Sequence, residues 1–141
     1  MSADTNEKAT LVTGLIGEDV HIVGIRILEH ALRGTGFKVI ALGVQVSQEE
    51  FVNAAIETKA DAILISSLSG HARMLVEGFR DKCVEAGLKD ILIYLGGQLI
   101  IGQMKWEEIE NIFKNMGVDR VFPPDTLPEQ VVAALNKDLK L

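Results

Sequence analysis

The chain has 141 residues, 48% apolar and 5% aromatic, with 14 basic against 20 acidic side chains and a formal charge of −6. That length allows one domain with a proper core, and an acidic balance without a Lys/Arg run argues against nucleic acid or an anionic membrane as partner. The lone Cys83 excludes an intrachain disulfide and fits a reducing compartment, no apolar run reaches membrane-span length, and the short polar segment 1–8 has no signal-peptide core, so the expected location is the cytoplasm.

Residues 1–8 read as a frayed tail ahead of a single domain at 9–141. The short apolar run 10–16 predicts a first strand. Ile25, Leu28 and Leu32 recur at helical spacing over 22–33, and Gly34-Thr-Gly36 ends that helix. Residues 37–42 read as the second strand. Ser47-Gln-Glu-Glu50 matches a capping box, in which the serine caps the helix and Glu50 reaches back to the free amide; that helix runs to about Thr58. The third strand, 61–66, contains Ala62-Ile-Leu-Ile65, the near-continuous apolar run of a strand buried on both faces. A helix is expected over 72–86, with Leu75, Phe79 and Cys83 on one face and Gly87 as its stop. The fourth strand, 91–95, ends at Gly96-Gly97. Trp106, Ile109 and Phe113 mark a helix closed by Gly117, residues 120–122 a short fifth strand, and Thr126-Leu-Pro-Glu129 a second capping box before a helix carrying Val132, Leu135 and Leu139.

Strand and helix thus alternate five times with short connections. That pattern predicts an α/β fold, a doubly wound five-stranded parallel sheet of flavodoxin-like (Rossmann-like) order 2-1-3-4-5. Such sheets bind ligands beyond the carboxyl ends of their strands, beside the first strand. The loops there, 17–24, 66–71, 96–102 and 123–126, are rich in glycine and small hydroxyl residues and poor in basic ones. No Gly-x-x-x-x-Gly-Lys-Ser/Thr loop and no Gly-x-Gly-x-x-Gly follows the first strand, which disfavours nucleoside triphosphates and dinucleotides. A phosphoacceptor receiver domain would end the third strand on aspartate, where this chain has Ser66-Ser67.

The first of these loops carries Asp19-x-His21-x-x-Gly24. A histidine here can ligate a metal through one ring nitrogen while the other donates to a carboxylate. Gly24 permits close approach of a bulky group to the helix start. Taken alone, the pattern reads more often as a solvated histidine beside a helix-capping aspartate. Other candidates have plain structural readings. His30 falls in the last turn of the first helix, where a cation suits the helix dipole. Cys83 falls on an apolar helix face, Trp106 fits a packing anchor, and Asp125 and Thr126 fit helix caps. His71 is kept as a contact at the ligand edge. No carboxylate pair is placed for acid–base chemistry, and no serine or cysteine has an evident base.

Together, Asp19-x-His21-x-x-Gly24, Ser66-x-Leu68 and Gly96-Gly97 at these intervals resemble the cobalamin-binding domain of the coenzyme B12-dependent mutases. The chain is similar, almost end to end, to the small (sigma) subunits of glutamate mutase, also called methylaspartate mutase. Ala54-Ala-Ile-Glu-Thr-Lys-Ala-Asp-Ala-Ile-Leu64, Cys83-x-Glu-Ala-Gly-Leu88 and Met116-Gly-x-Asp-Arg-Val121 carry that closer likeness. Three motifs in register are far more specific than one.

The resemblance implies that adenosylcobalamin binds with its dimethylbenzimidazole tail detached from cobalt. His21 replaces it as the lower axial ligand, and Asp19 holds the imidazole. The tail occupies a slot between the first helix and the sheet, lined by Ser66, Leu68, Gly96 and Gly97, with Thr126 at its far end. Cofactor contacts are also implied for Glu18, Val20, Ile22, Gly24, Ser67, Gly70, Gln98, Phe122 and Pro124. The implied reaction is the radical rearrangement of L-glutamate to threo-3-methylaspartate. No catalytic side chain is assigned to this chain. A larger barrel subunit holds the substrate, and two of each subunit assemble.

Three positions depart from the family pattern. Phe122 stands where tyrosine is frequent, Glu18 where a small residue is usual, and Ser69-Gly-His71 leans towards the Ser-Gly-Ala-His type of acyl-CoA mutase domains. Two alternatives stand beside the leading reading. One keeps cobalamin with another partner, as the small subunit of an acyl-CoA mutase or a corrinoid methyl carrier. The other is a cofactor-free flavodoxin-like interaction domain.

Overall fold

Six residues, Thr10–Leu15, form β1, and its apolar side chains alternate towards opposite faces that must both be covered. The computed structural model describes residues 7–17, 23–67, 72–99 and 103–141. Within them the order is β1, α1 (Val23–Gly34), β2 (Lys38–Ala41), α2 (Gln48–Thr58), β3 (Ala62–Ser67), α3 (Ala72–Val76), α4 (Phe79–Glu85), β4 (Leu92–Gly97), α5 (Trp106–Asn115), β5 (Arg120–Val121) and α6 (Pro128–Asp138). The sheet runs β2-β1-β3-β4-β5, and every neighbouring pair is parallel. This is the α/β order expected from the sequence. Among the described residues no helix is long and apolar enough to cross a membrane.

The sheet separates two apolar layers. On one face Val12, Ile63, Ile65, Ile93 and Leu95 meet Phe51 of α2, Phe79 and Cys83 of α4 and Phe113 of α5. On the other, Leu11, Ala62, Leu64 and Tyr94 meet Leu32 of α1 and Val131, Ala134 and Leu135 of α6. Cys83 is fully buried, as its helical position predicts, and burial raises its thiol pKa, opposed by the charge of Arg80. Half-buried Trp106 packs against the first of these layers.

A local signal sets the start of α2. The capping box of α2 is present in both directions, with the Glu50 amide donating to Ser47 Oγ at 3.1 Å and the Ser47 amide to Glu50 Oε1 at 3.0 Å. Lys8, placed in the tail by the sequence, donates its amide to Gly36 O at 2.9 Å. At the amino edge of the sheet, Arg80 donates to Gly117 O at 3.0 Å, Ile91 O at 2.8 Å and Asp119 Oδ2 at 2.7 Å. These bonds fasten α4 to β4 and to the loop that enters β5.

Four expectations are corrected. The helix expected over 72–86 is two helices, broken where Gly78 takes φ +77°. Gln48 Nε2 supports the break by donating to Leu75 O at 2.6 Å and Glu77 O at 3.0 Å. Its buried face is Ala72, Val76, Phe79 and Cys83, with Leu75 half-buried. The fifth strand stops at Val121, because Pro123 and Pro124 have no amide to extend the ladder. The last helix starts one residue later than its predicted box: Leu127 is the cap residue and its amide donates to Gln130 Oε1 at 2.7 Å. Thr126 Oγ1 is drawn instead into the preceding turn, donating to Pro123 O at 2.7 Å.

Candidate functional site: a cleft between the first helix and the sheet

The carboxyl ends of β3 and β4 lie side by side, pairing Ser66 with Gly96 and Ser67 with Gly97. Side chains alternate along a strand. Leu64 and Ser66 of β3, with Tyr94 and Gly96 of β4, therefore share the face covered by α1 and α6. Between those helices and the sheet is a cleft of about 330 Å³. Gly24, Ile25, Ile27 and Leu28 of α1 form one wall, and Phe122, Pro123, Pro124, Thr126, Pro128 and Val131 form the other. Leu64, Ser66, Tyr94, Gly96, Gly97 and Gln98 form its floor and rim.

Eight of the residues singled out from the sequence thus meet at one cleft: Gly24, Ser66, Gly96, Gly97, Gln98, Phe122, Pro124 and Thr126. Ser67 does not line it. One residue on from Ser66, it points to the opposite face, where its Oγ is buried without a hydrogen-bond partner among the described residues. Glu18, Asp19, Val20, His21 and Ile22, like Leu68, Gly70 and His71, lie outside the described residues. His30 is exposed on α1.

The two glycines of β4 serve different ends. Gly97 has φ +105°, and a Cβ there would stand 2.3 Å from the carbonyl oxygen of Ser67. Only glycine lets β3 and β4 stay paired at this point. At Gly96 a Cβ would meet Phe122 Cβ at 3.7 Å, and at Gly24 it would meet nothing within 4 Å. Both therefore leave volume to the cleft.

Among the described residues no charged side chain lines the cleft. Its polar side chains are few: Ser66 and Gln98, the hydroxyl of Thr126, and Tyr94, whose hydroxyl is directed away to α6. That chemistry fits a flat, largely uncharged group such as a nucleoside base, held by apolar walls with a few hydrogen bonds for orientation. It does not fit a free phosphate or a dicarboxylate. Among the described residues no group of three or more His, Cys, Asp or Glu is placed to hold a metal ion.

Beneath the cleft are two polar arrangements that sequence reading missed. Thr13 Oγ1 donates to Glu29 Oε2 at 2.5 Å, with both residues buried between β1 and α1. Tyr94 is 2% exposed, and its hydroxyl donates to Asp138 Oδ2. The same carboxylate takes Arg120 Nε at 2.6 Å and Nη2 at 2.8 Å. The Arg120 bond above all holds the Asp138 carboxyl down to about 2. Burial, with the bond to Asp138 adding to it, pushes the Tyr94 phenol well above its usual range. The signal for Tyr94 was its place two residues before Gly96, on the same strand face.

Comparison with known proteins agrees with this geometry. The B12 binding domain family matches residues 9–133. The glutamate mutase sigma subunit of Carboxydothermus hydrogenoformans is 54% identical over 135 residues, covering 96% of this chain and 98% of that one. The corresponding subunit of Clostridium tetani is 51% identical, with the same coverage. Among solved structures, a cobalamin-binding protein from Desulfitobacterium hafniense superposes with a TM-score of 0.78 at 21% identity. That likeness spans 94% of this chain and 60% of the other, and it bears on the fold alone. With a family match across nearly its whole length and relatives more than half identical to it, the chain belongs to the B12-binding domain family, among the glutamate mutase sigma subunits.

Proposed function

We propose that this chain binds adenosylcobalamin with the nucleotide tail off cobalt and lying in the cleft beneath α1, and that it serves as the cofactor subunit of a cytoplasmic glutamate mutase. The observation that carries this reading is the cleft itself, about 330 Å³ in volume and, among the described residues, lined by no charged side chain. Gly24 and Gly96 line it.

In this reading residues 9–141 act as one cobalamin-binding domain. His21 would hold the cobalt through one ring nitrogen, and Asp19 would accept from the other, fixing the tautomer and raising the basicity of the ligand. Gly24 and Gly96 leave room for the tail. Ser66, Gln98 and Thr126 offer its polar atoms hydrogen bonds, while Phe122 and Pro124 close the apolar wall. When bound, the cofactor supplies radical chemistry by homolysis of its cobalt–carbon bond. The protein here binds and orients, while a larger barrel subunit, two copies with two of this chain, holds glutamate and excludes water.

The test is electron paramagnetic resonance of the Co(II) form with nitrogen-15 histidine. Splitting from an imidazole nitrogen is the expected result, lost in His21→Ala. Splitting from the cofactor's own benzimidazole in the wild-type chain would overturn the assignment.

A further inference from the structure

Tyr94 occupies two structural roles at once. Its ring is on the floor of the cleft and meets Phe122 edge-on, with centroids 5.3 Å apart and planes at 61°. Its hydroxyl leaves the cleft and donates to Asp138, near the end of α6. Arg120, the residue paired with Tyr94 across β4 and β5, grips the same carboxylate with two nitrogens. Two neighbouring strands therefore hold one side chain of the last helix.

The position of that grip matters because α6 is also a wall. Pro128 and Val131, in its first turns, line the cleft. Asp138 lies about 10–15 Å further along the axis, at roughly 1.5 Å per residue. Among the described residues, the bonds to Asp138 are the side-chain hydrogen bonds that join α6 to the sheet. The rest of that contact is apolar, through Val131, Ala134 and Leu135. Apolar packing is non-directional, whereas a forked arginine–carboxylate pair fixes geometry. The foot of the wall is thus clamped, and its head stands against the cleft.

We propose that Tyr94, clamped by Asp138 and Arg120, is a positioning residue that sets the width of the cleft and so the chain's selectivity for corrinoids carrying a nucleotide tail. This rests on the reading that the tail occupies the cleft. Without the clamp, nothing directional among the described residues fixes the hydroxyl end of the ring or the foot of α6, and the walls no longer close on a flat base. Contacts to the corrin ring itself, made outside the cleft, do not depend on the clamp.

The experiment compares cobalamin with cobinamide, the corrinoid that lacks the nucleotide tail. Full-length wild type, Tyr94→Phe and Asp138→Asn are titrated with each and followed by absorption, with circular dichroism to check folding. Tyr94→Phe keeps the ring and its packing; Asp138→Asn removes the charge that Arg120 grips. Either one that folds carries the test. The expected result is a loss of about tenfold or more for cobalamin, the scale of one buried hydrogen bond, with cobinamide affinity within about twofold of wild type. Equal weakening of both ligands would reduce the clamp to a structural role and overturn the proposal. Unchanged cobalamin affinity in both variants would overturn it too. If wild type binds the two corrinoids equally well, the cleft does not hold the tail. The reading beneath the proposal then fails, and the clamp's selectivity with it.

Discussion

Thr13 and Glu29 face each other between β1 and α1, joined by a hydrogen bond of 2.5 Å, with 0% and 1% of their surfaces exposed. Glu29 Oε2 takes the threonine hydroxyl, and Oε1 has no partner among the described residues. Because an unmatched buried polar group is more damaging than a missing pair, Thr13→Val should destabilise the chain by about 1–3 kcal/mol. Replacing both, as Thr13→Val with Glu29→Leu, should recover most of that loss. Thermal or urea denaturation of the two single variants and the double variant measures the coupling. Additive effects would show that the bond contributes nothing of its own.

The Asp138 carboxyl makes stability depend on acid. Arg120 is the main cause of its lowered value of about 2, burial opposes the shift, and the Tyr94 hydroxyl adds to it. A free aspartate titrates near pH 3.9, so the folded state binds this proton more weakly than the unfolded chain does. The resulting stabilisation is fully present above pH 4–5 and is lost as pH falls from there through about 2. Asp138→Asn should therefore be less stable than wild type at pH 7, with the gap narrowing towards pH 3. Urea midpoints at the two pH values test this; a gap that stays constant would remove Asp138 as the cause.

Gly97 and Gly24 should part company on substitution. Gly97→Ala forces a Cβ to 2.3 Å from Ser67 O at a left-handed φ. A loss of about 2–5 kcal/mol is expected from strain and overpacking together. Gly24→Ala meets nothing within 4 Å, in a helix that favours alanine. Its stability should hold or rise by up to about 1 kcal/mol, while cobalamin affinity falls because the methyl takes cleft volume. A melting curve and a cofactor titration on each variant separate the two effects.

The strands were readable because the buried parallel ones are largely apolar runs, of which Ala62-Ile-Leu-Ile65 is the clearest. The cleft was readable through its glycines and hydroxyls, which sit at strand ends by topology alone. Glu29 was not, since its charge suggests solvent although its spacing from Ile25 and Leu32 puts it on the buried face; a further clue lay in Thr13, a polar residue at an inward position of β1. Tyr94 had a similar clue, for a tyrosine in a buried strand needs a partner for its hydroxyl. That partner is 44 residues away and could not be found by spacing. The break at Gly78 escaped because Ala72, Val76, Phe79 and Cys83 keep helical spacing across it, while the support comes from Gln48 on another helix. Thr126 showed a capping pattern but spends its hydroxyl on Pro123 O, a competition between turn and cap that short motifs do not resolve.

Catalysis should require a second chain. Glutamate carries two carboxylates, and recognising them calls for free cationic forks. Among the described residues the cleft offers none. Arg120, paired with Tyr94 of the floor across β4 and β5, is already committed to Asp138. A radical generated without a closed cavity would also be quenched by side reactions. The chain loaded with adenosylcobalamin should therefore leave glutamate unchanged, and addition of the large subunit should start conversion to 3-methylaspartate. If the cofactor is gripped between both chains, partner and cofactor must strengthen each other's binding by the same factor. Titrating adenosylcobalamin at several large-subunit concentrations measures that factor. Turnover by the isolated chain, or a cofactor affinity indifferent to the partner, would show that the active cavity is not shared.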